Sequence, residues 1–261
     1  GPTQTINVPI TGETLVEGSE SFTLTLSNPT GTAQIGPSGT GTGTITDNDS
    51  AVVSFNPASV SQSEGSGPMA FTVTLSNPVQ SGVTLTLNTA NGTAGAADYT
   101  AISNGTVSFP ANSNASQTVN VVINNDALDE DDETYSLTLS ALSATGNVSL
   151  GTATANATIQ DDDATPTLTI SSPSQNEGNS GSAPMNFVAS LSAVSGRTVS
   201  FTAATANGSA TAPGDYVALA ATPFTIAAGQ SSVTIPVTIN GDTTFEGNES
   251  FSLNLTAISN A

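Results

Sequence analysis

Apolar residues alternate with Ser, Thr and Asn in short runs along the chain, for example at residues 70–75 and 118–123. Successive side chains of a strand point to opposite faces, so a period of two predicts strands with one buried face. Clusters of Gly, Pro, Asn and Ser, as at 76–78 and 90–92, interrupt these runs. They recur about every ten residues and leave no room for an amphipathic helix. The pattern predicts an all-β fold.

Segments of the sequence recur along the chain, and such recurrence exposes the domain unit. Glu64-Gly65 is repeated as Glu177-Gly178, and Asp98-Tyr99 is repeated as Asp215-Tyr216. An acid-rich segment occurs three times, each time before Phe or Tyr and an alternating run, at residues 13–20, 126–133 and 242–249. The repeats predict a complete unit over 51–163, the C-terminal part of a first unit over 1–50, and a third unit over 164–261 that lacks its last strand.

Seven strands are expected in the complete unit, near 52–55, 69–75, 83–89, 106–109, 116–124, 134–140 and 152–159. Residues 1–50 then hold the last three strands of a unit, and 164–261 hold all but the last. This division predicts a slice of a longer array. The alternative, in which partial units complete each other between chains, would duplicate the fifth and sixth strands.

Composition removes several classes of function. The 261 residues include 21 Asp and Glu and one cation, Arg197, with no Lys, His, Cys or Trp. Catalytic triads, thiolate nucleophiles and zinc or iron sites with nitrogen and sulfur ligands are therefore excluded. A net charge of -20 disfavours nucleic acid and anionic lipid, which bind Lys and Arg. No apolar run approaches the ~18–20 residues that cross a bilayer, so no direct membrane insertion is expected.

The acids fall in loops at one end of the predicted sandwich. Seven antiparallel strands alternate in direction, so the loops after the first, third and fifth strands and the end of the seventh lie at the same pole. Repeat-equivalent positions at this pole account for 18 of the 21 acids. These predicted ligands are Glu64, Asp98, Asp126, Glu130, Glu133, Asp161, Asp162 and Asp163 in the complete unit, Glu13, Glu17, Glu20, Asp47 and Asp49 in the first, and Glu177, Asp215, Asp242, Glu246 and Glu249 in the third.

Such a cluster of like charges predicts a bound cation. Carboxylates held close together repel one another, and a hard cation relieves that repulsion where no basic side chain does. Calcium takes about 6–8 oxygen ligands from irregular loops, whereas magnesium demands tight octahedral geometry. We therefore expect Ca²⁺, bound as a cluster of ions. The run from Asp161 to Asp163 also begins the linker to the next unit, so calcium there would stiffen the joint.

The spaced motifs resemble the Calx-beta domain. The matching residues in the complete unit are Glu64-Gly65, Gly92-Thr93-Ala94 with Asp98-Tyr99, Asp126 with Glu130 and Glu133, and Asp161-Asp162-Asp163. The resemblance implies tandem seven-stranded immunoglobulin-like (Greek-key) antiparallel β-sandwiches that bind calcium at the acidic pole. Such domains occur in sodium–calcium exchangers and in large bacterial surface proteins. Asn48 replaces an Asp of the closing run in the first unit, which implies a weaker site there.

Two functions fit these features. The leading hypothesis is a calcium-binding structural repeat of a long extracellular or cell-surface protein of a bacterium, namely an adhesin, fibre or matrix component. Its partners would be neighbouring repeats of the same chain and, in a fibre or matrix, other copies. The alternative is a calcium sensor, which needs affinity near ~10⁻⁷–10⁻⁵ M, whereas an extracellular strut works at ~10⁻⁴–10⁻³ M. A glycosidase is disfavoured because the chain has no Trp and only 3 Tyr to stack on sugar rings.

Four charged residues fall outside this scheme. Asp129, Asp131 and Asp132 lie in the acidic loop of the complete unit but have no repeat equivalents among the acids. We expect them to be solvated charges or to stand behind the ligands. Arg197 is expected in a turn, with no evident partner.

Overall fold

The computed structural model describes residues 3–261, and strands account for nearly all of the regular structure in them. No helix within these residues is long and apolar enough to cross a membrane. The chain forms two compact units. Among the described residues, the first unit contains 3–124 together with Glu133–Ile159, and the second contains Asn125–Asp132 and Gln160–Ala261. The predicted all-β class is confirmed.

The first unit contains two strands from the first repeat and nine from the complete repeat. They are β1 (Glu20–Thr25), β2 (Thr40–Ile45), β3 (Ala51–Phe55), β4 (Ser59–Ser63), β5 (Met69–Leu75), β6 (Val83–Asn91), β7 (Gly105–Phe109), β8 (Gln117–Val121), β9 (Glu133–Ala144), β10 (Val148–Leu150) and β11 (Thr154–Gln160). A 3-10 turn over Glu64–Ser66 follows β4.

Two sheets enclose the core of the first unit. Their strand orders are β10-β3-β5-β8 and β4-β11-β9-β6-β7. Every second residue of β5 from Met69 to Leu75 is buried, as the alternation requires. Tyr135 on β9 joins the two layers, because it meets Phe71 of β5 edge-on at 6.3 Å and stacks on Tyr99 at 4.2 Å between ring centroids. The predicted sandwich is thus confirmed by one shared core.

Seven strands of the complete repeat correspond to the predicted ones, and two were not predicted. β4 has the polar sequence Ser-Val-Ser-Gln-Ser, which carries little alternation. β10 is only three residues long and pairs parallel with β3. Both lie at sheet edges, where short strands depend on their neighbours more than on their own sequence.

The first repeat departs from the expectation of three strands. Its described residues form one two-stranded sheet, β1 with β2. Residues 3–12 form no strand, and their apolar side chains Ile6, Val8 and Ile10 are 56%, 43% and 54% exposed. The physical reason is a missing partner: the equivalent strand β8 pairs with β5, and residues 3–50 contain no counterpart of β5.

The second unit carries six strands in two three-stranded sheets. They are β12 (Leu168–Ile170), β13 (Ser182–Leu191), β14 (Val199–Ala206), β15 (Thr222–Ile226), β16 (Ser232–Asn240) and β17 (Ser252–Ser259). The strand orders are β12-β13-β16 and β15-β14-β17. Buried residues from both sheets, among them Phe187, Phe201 and Ile235, form its core.

Candidate metal centre

Asp215 is fixed in a turn by its immediate neighbours. The N–H of Thr211 donates to Asp215 Oδ2 at 2.6 Å. The next residue, Tyr216, is 1% exposed, and its hydroxyl donates to Asn207 Oδ1 at 2.6 Å. The buried tyrosine therefore anchors the turn, while the carboxylate beside it stays on the loop.

The complete repeat builds an equivalent turn that is one residue shorter. The N–H of Gly95 donates to Asp98 Oδ2 at 2.6 Å, and the hydroxyl of buried Tyr99 donates to Asn91 Oδ1 at 2.6 Å. The Asp-Tyr pair is thus a structural device in both repeats. Glu64, the first residue of the 3-10 turn, is also buried, with 8% exposure.

Asp215 lies beside two acids of the loop that precedes β17. One carboxylate oxygen from each of Asp215, Glu246 and Glu249 lies within 4.8 Å of the other two. Desolvation raises the pKa of Glu246 and of Glu249, and the charges of neighbouring acids raise both further. For Glu246 these acids are Asp242, Asp215 and Glu177. The charges of Asp242, Asp215 and Glu177 thus act on the acids of this loop, and three of the five predicted ligands converge.

The first acid of each acidic loop caps its own backbone. Asp242 Oδ1 accepts a hydrogen bond from the N–H of Thr244 at 2.6 Å. Asp126 Oδ1 accepts one from Leu128 at 2.8 Å, and a carboxylate oxygen of Glu13 accepts one from Leu15. The three acidic loops therefore start with the same local turn.

The first repeat gathers its five acids on one concave surface. The N–H groups of Glu17 and Asp49 donate to the two oxygens of Asp47, each at 3.3 Å. Asp47 thereby ties the acidic loop to the segment that ends this repeat. Desolvation raises the pKa of Glu17, and the charges of Glu20, Glu13, Asp47 and Asp49 add to that rise.

The closing run of the complete repeat contains unsatisfied carboxylate oxygens. Asp161 Oδ1 and Asp163 Oδ2 are buried and have no hydrogen-bond partner among the described residues. Burial raises the pKa of Asp161, although the N–H groups of Glu130 and Asp163 donate to its carboxylate and oppose that rise. Buried acceptors without a donor are costly. This donor set fits a hard cation, which would coordinate those oxygens.

Repeat equivalence extends the third-repeat group to the complete repeat. Asp98, Glu130 and Glu133 occupy the positions of Asp215, Glu246 and Glu249. We therefore predict the same three-carboxylate group there. The other predicted ligands of this repeat are Glu64, Asp126, Asp161, Asp162 and Asp163, and their joint coordination remains a prediction.

Arg197 has partners, which corrects the expectation from the sequence. Its guanidinium lies 2.9 Å from Asp131 Oδ1 and 3.7 Å from Asp129 Oδ1. Asp129 is only 3% exposed and also accepts hydrogen bonds from the hydroxyls of Ser195 and Thr165, at 3.1 and 3.3 Å. Asp129 is therefore not a solvated charge. No local signal predicts this pair, because its members are far apart in the sequence.

Comparison with known proteins identifies the domain type. The sequence model of the Calx-beta domain matches residues 2–49, 46–163 and 166–261. No curated protein matches the chain.

Solved structures similar to this chain include calcium-binding domains of Calx. The structure described as CBD12 from CALX1.2 is 20% identical, with a TM-score of 0.40, and the match covers 79% of this chain and 80% of that one. The apo-form Calx CBD1 domain is 23% identical, with a TM-score of 0.40, over 43% of this chain and 98% of that one. Since the family match covers nearly the whole sequence, the predicted resemblance is confirmed, and the chain belongs to the Calx-beta domain family.

Proposed function

We propose that this chain is a calcium-binding structural repeat array of an extracellular or cell-surface protein, in which calcium stiffens the joints between domains. The observation that carries the proposal is the group formed by Asp215, Glu246 and Glu249, whose oxygens converge within 4.8 Å. The raised pKa values of Glu246 and Glu249 support it, because desolvation and then the charges of neighbouring acids disfavour the ionised carboxylates, and a bound cation would offset both effects.

The positive charge that would offset these carboxylates must come from an ion in solution. The sequence has no Lys or His, and its one Arg pairs with Asp129 and Asp131, outside the predicted ligands. Oxygen donors on irregular loops favour calcium over the softer transition metals and over magnesium. The bound ion would supply positive charge, while the residues of the chain hold it and set its position.

The ligands would come from the acids predicted in each repeat. In the third repeat they are Glu177, Asp215, Asp242, Glu246 and Glu249. In the first they are Glu13, Glu17, Glu20, Asp47 and Asp49. In the complete repeat they are Glu64, Asp98, Asp126, Glu130, Glu133, Asp161, Asp162 and Asp163.

The link to stiffness rests on the loop Asn125–Asp132, which belongs to the second compact unit. The N–H of Asp161 donates to Asp132 Oδ1 at 3.2 Å, and Thr165 donates to Asp129. The loop that carries Asp126 and Glu130 therefore also holds the linker between repeats. An ion bound to this loop would fix the linker in place.

The setting is inferred from composition and from the calcium requirement. Extracellular fluids supply millimolar calcium, which suffices for a site of ~10⁻⁴–10⁻³ M affinity. The partners we propose are neighbouring repeats of the same chain and other copies in a fibre or matrix. Half-saturation at micromolar calcium would instead favour the regulatory sensor.

Calorimetric calcium titration of charge-matched variants tests the proposal. Glu246→Gln removes one charge from the third-repeat group, and Asp131→Asn removes one from an 80% exposed side chain outside it. We expect Glu246→Gln to abolish the binding step of the third repeat and Asp131→Asn to preserve it. Equal isotherms for both variants and for the parent chain would refute the assignment.

A further inference from the structure

The acidic loop of the first repeat docks on a turn of the complete repeat. Val16 forms a parallel bridge with Val79, which lies in the turn between β5 and β6. The N–H of Val16 donates to the Pro78 carbonyl at 3.0 Å, and the N–H of Gln80 donates to the Val16 carbonyl at 2.9 Å. Val16 and Val79 are both 0% exposed. We call this contact the apolar joint.

The second unit contains a contact of the same form. Asp129 forms a parallel bridge with Ser195, which lies in the turn between β13 and β14. The N–H of Gly196 donates to the Asp129 carbonyl at 3.1 Å. Asp129 and Ser195 are 3% and 1% exposed, and Arg197 pairs with Asp129. We call this contact the polar joint.

The two joints use equivalent positions of the repeat. Each docking residue stands three positions after the first predicted ligand of its loop and directly before the second predicted ligand. Each receiving residue stands four positions after the last residue of the preceding strand, Leu75 or Leu191. The joint is therefore a property of the repeat, and the described residues form it twice.

Phe245 occupies the docking position of the third repeat, directly before Glu246. Its side chain is 101% exposed, an unusual state for a large apolar residue. The equivalent residues Val16 and Asp129 are buried in joints. From this contrast we propose that Phe245 is the docking residue for a further Calx-beta domain.

The phenyl ring of Phe245 determines which type of Calx-beta domain can receive it. In the polar joint the docking carboxylate accepts a hydrogen bond from the Ser195 hydroxyl and pairs with Arg197, and a phenyl ring in its place would leave the guanidinium without that buried carboxylate. The apolar joint buries Val16 against Val79. The partner is therefore a Calx-beta domain with an apolar residue at the position of Val79 and with that turn uncovered. The contact uses no predicted ligand side chain, and so it goes beyond the proposed function.

A tandem extension of the full chain provides such a partner. The chain is extended after Ala261 by a copy of residues 146–163, which supplies the counterpart of β11, and then by a copy of residues 50–163. The appended repeat contains all the buried core residues of its cluster except Val16, so it brings its own core. Its Val79 has no Val16 to cover it, and Phe245 stands in the matching position.

Chymotrypsin reports docking, because it cleaves after accessible Phe. We expect rapid cleavage after Phe245 in the parent chain and at least about tenfold slower cleavage in the extended chain, since proteolysis follows the undocked population. The appended Gln80 amide should also exchange slowly, because it would donate to the Phe245 carbonyl as its counterpart donates to Val16. Val79→Asp in the appended repeat alone should restore rapid cleavage, and Val79→Ala serves as a milder variant.

Three results would overturn the proposal. The first is equal cleavage after Phe245 in the parent and extended chains. The second is protection that survives Val79→Asp in a folded appended repeat, since a different surface would then cover Phe245. The third is rapid exchange of the appended Gln80 amide in the extended chain. Comparison in chelator and in calcium separates this docking from the calcium sites.

Discussion

The apolar and polar joints have the same kind of main-chain pairing but differ in their side chains. In both, a residue of the acidic loop pairs in parallel with a turn residue of the next repeat, and an N–H of that turn donates to its carbonyl. Val16 meets Val79 in one joint, and Asp129 meets Ser195 in the other. The main chain therefore defines the joint, and the side chains determine which loop fits which turn.

The polar joint needs more partners to reach the same burial. Removing a carboxylate from water is costly unless it is paired and hydrogen-bonded. Asp129 has Arg197, the Ser195 hydroxyl and the Thr165 hydroxyl around it. The apolar joint has no such requirement, because two valines lose only contact with water. The two joints should consequently respond differently to substitution.

The largest effect is expected from Val16→Asp, which places the residue type of the polar joint into the apolar one. The new carboxylate would be buried against Val79 without a cation, at a cost of about 3 kcal/mol. Hydrogen exchange of the Gln80 amide should become roughly 100-fold faster. Val122→Asp, at a side chain that is 51% exposed, is the matched control and should leave that amide unchanged. Unaltered exchange in Val16→Asp would contradict the account of the apolar joint.

Arg197→Gln should weaken the polar joint by a smaller amount. Asp129 loses its cation but keeps the two hydroxyl donors, so a loss of about 1–2 kcal/mol is expected. Exchange of the Gly196 amide reports this opening and should accelerate about tenfold. Asp131→Asn removes only the exposed half of the ion-pair network and should change the rate by less than about twofold. A larger effect from Asp131→Asn than from Arg197→Gln would reverse this interpretation.

A triple variant should convert the polar joint into an apolar one with little net change. Asp129→Val, Ser195→Val and Arg197→Ser together introduce the residues found at Val16, Val79 and Ser81. Replacing a buried ion pair by apolar residues is often neutral or stabilising, so Gly196 exchange should stay within a few-fold of the parent rate. It should also lose its dependence on salt. A joint that opens in the triple variant would mean that the ion pair itself holds it closed.

Acidification should have the smallest effect on stability, and it should stabilise both joints. Glu17 follows Val16, and Asp161 donates its N–H to Asp132 in the loop of Asp129. The pKa of Glu17 lies above its ordinary 4.5, and that of Asp161 lies above its ordinary 3.8. In chelator, their protonation stabilises the native state at low pH, and this contribution is lost as pH rises through the raised values. In chelator, the Tm of the chain should rise modestly as the pH is lowered. A fall in Tm would contradict the expected direction of the effect.

The sequence predicted the strands well because alternation reports directly which face is buried. β5 and β9 carry strong alternation and were found, whereas β4 and β10 carry little and were missed. The third-repeat group of acids was also predictable, since repeat equivalence and strand parity need no distances. The joints were not predictable. Asp129 and Arg197 meet only after two repeats are placed, and nothing local distinguishes buried Asp129 from exposed Asp131.

Phe245 is a second residue whose burial cannot be predicted from the sequence. In the sequence it is an apolar residue before a predicted strand, as is Val16. Only the structure shows that one is buried and the other fully exposed. Knowledge of the repeat converts that difference into a prediction about a partner.

Thermal unfolding of the full chain in chelator and across a calcium titration tests the central claim most directly. A ligand that binds only the native state, present at 100 times its dissociation constant, stabilises it by about 2.7 kcal/mol. We predict a rise in Tm that saturates at millimolar calcium, with magnesium much less effective. A Tm that calcium leaves unchanged would contradict the account, because the converging carboxylates would then have no ion to hold.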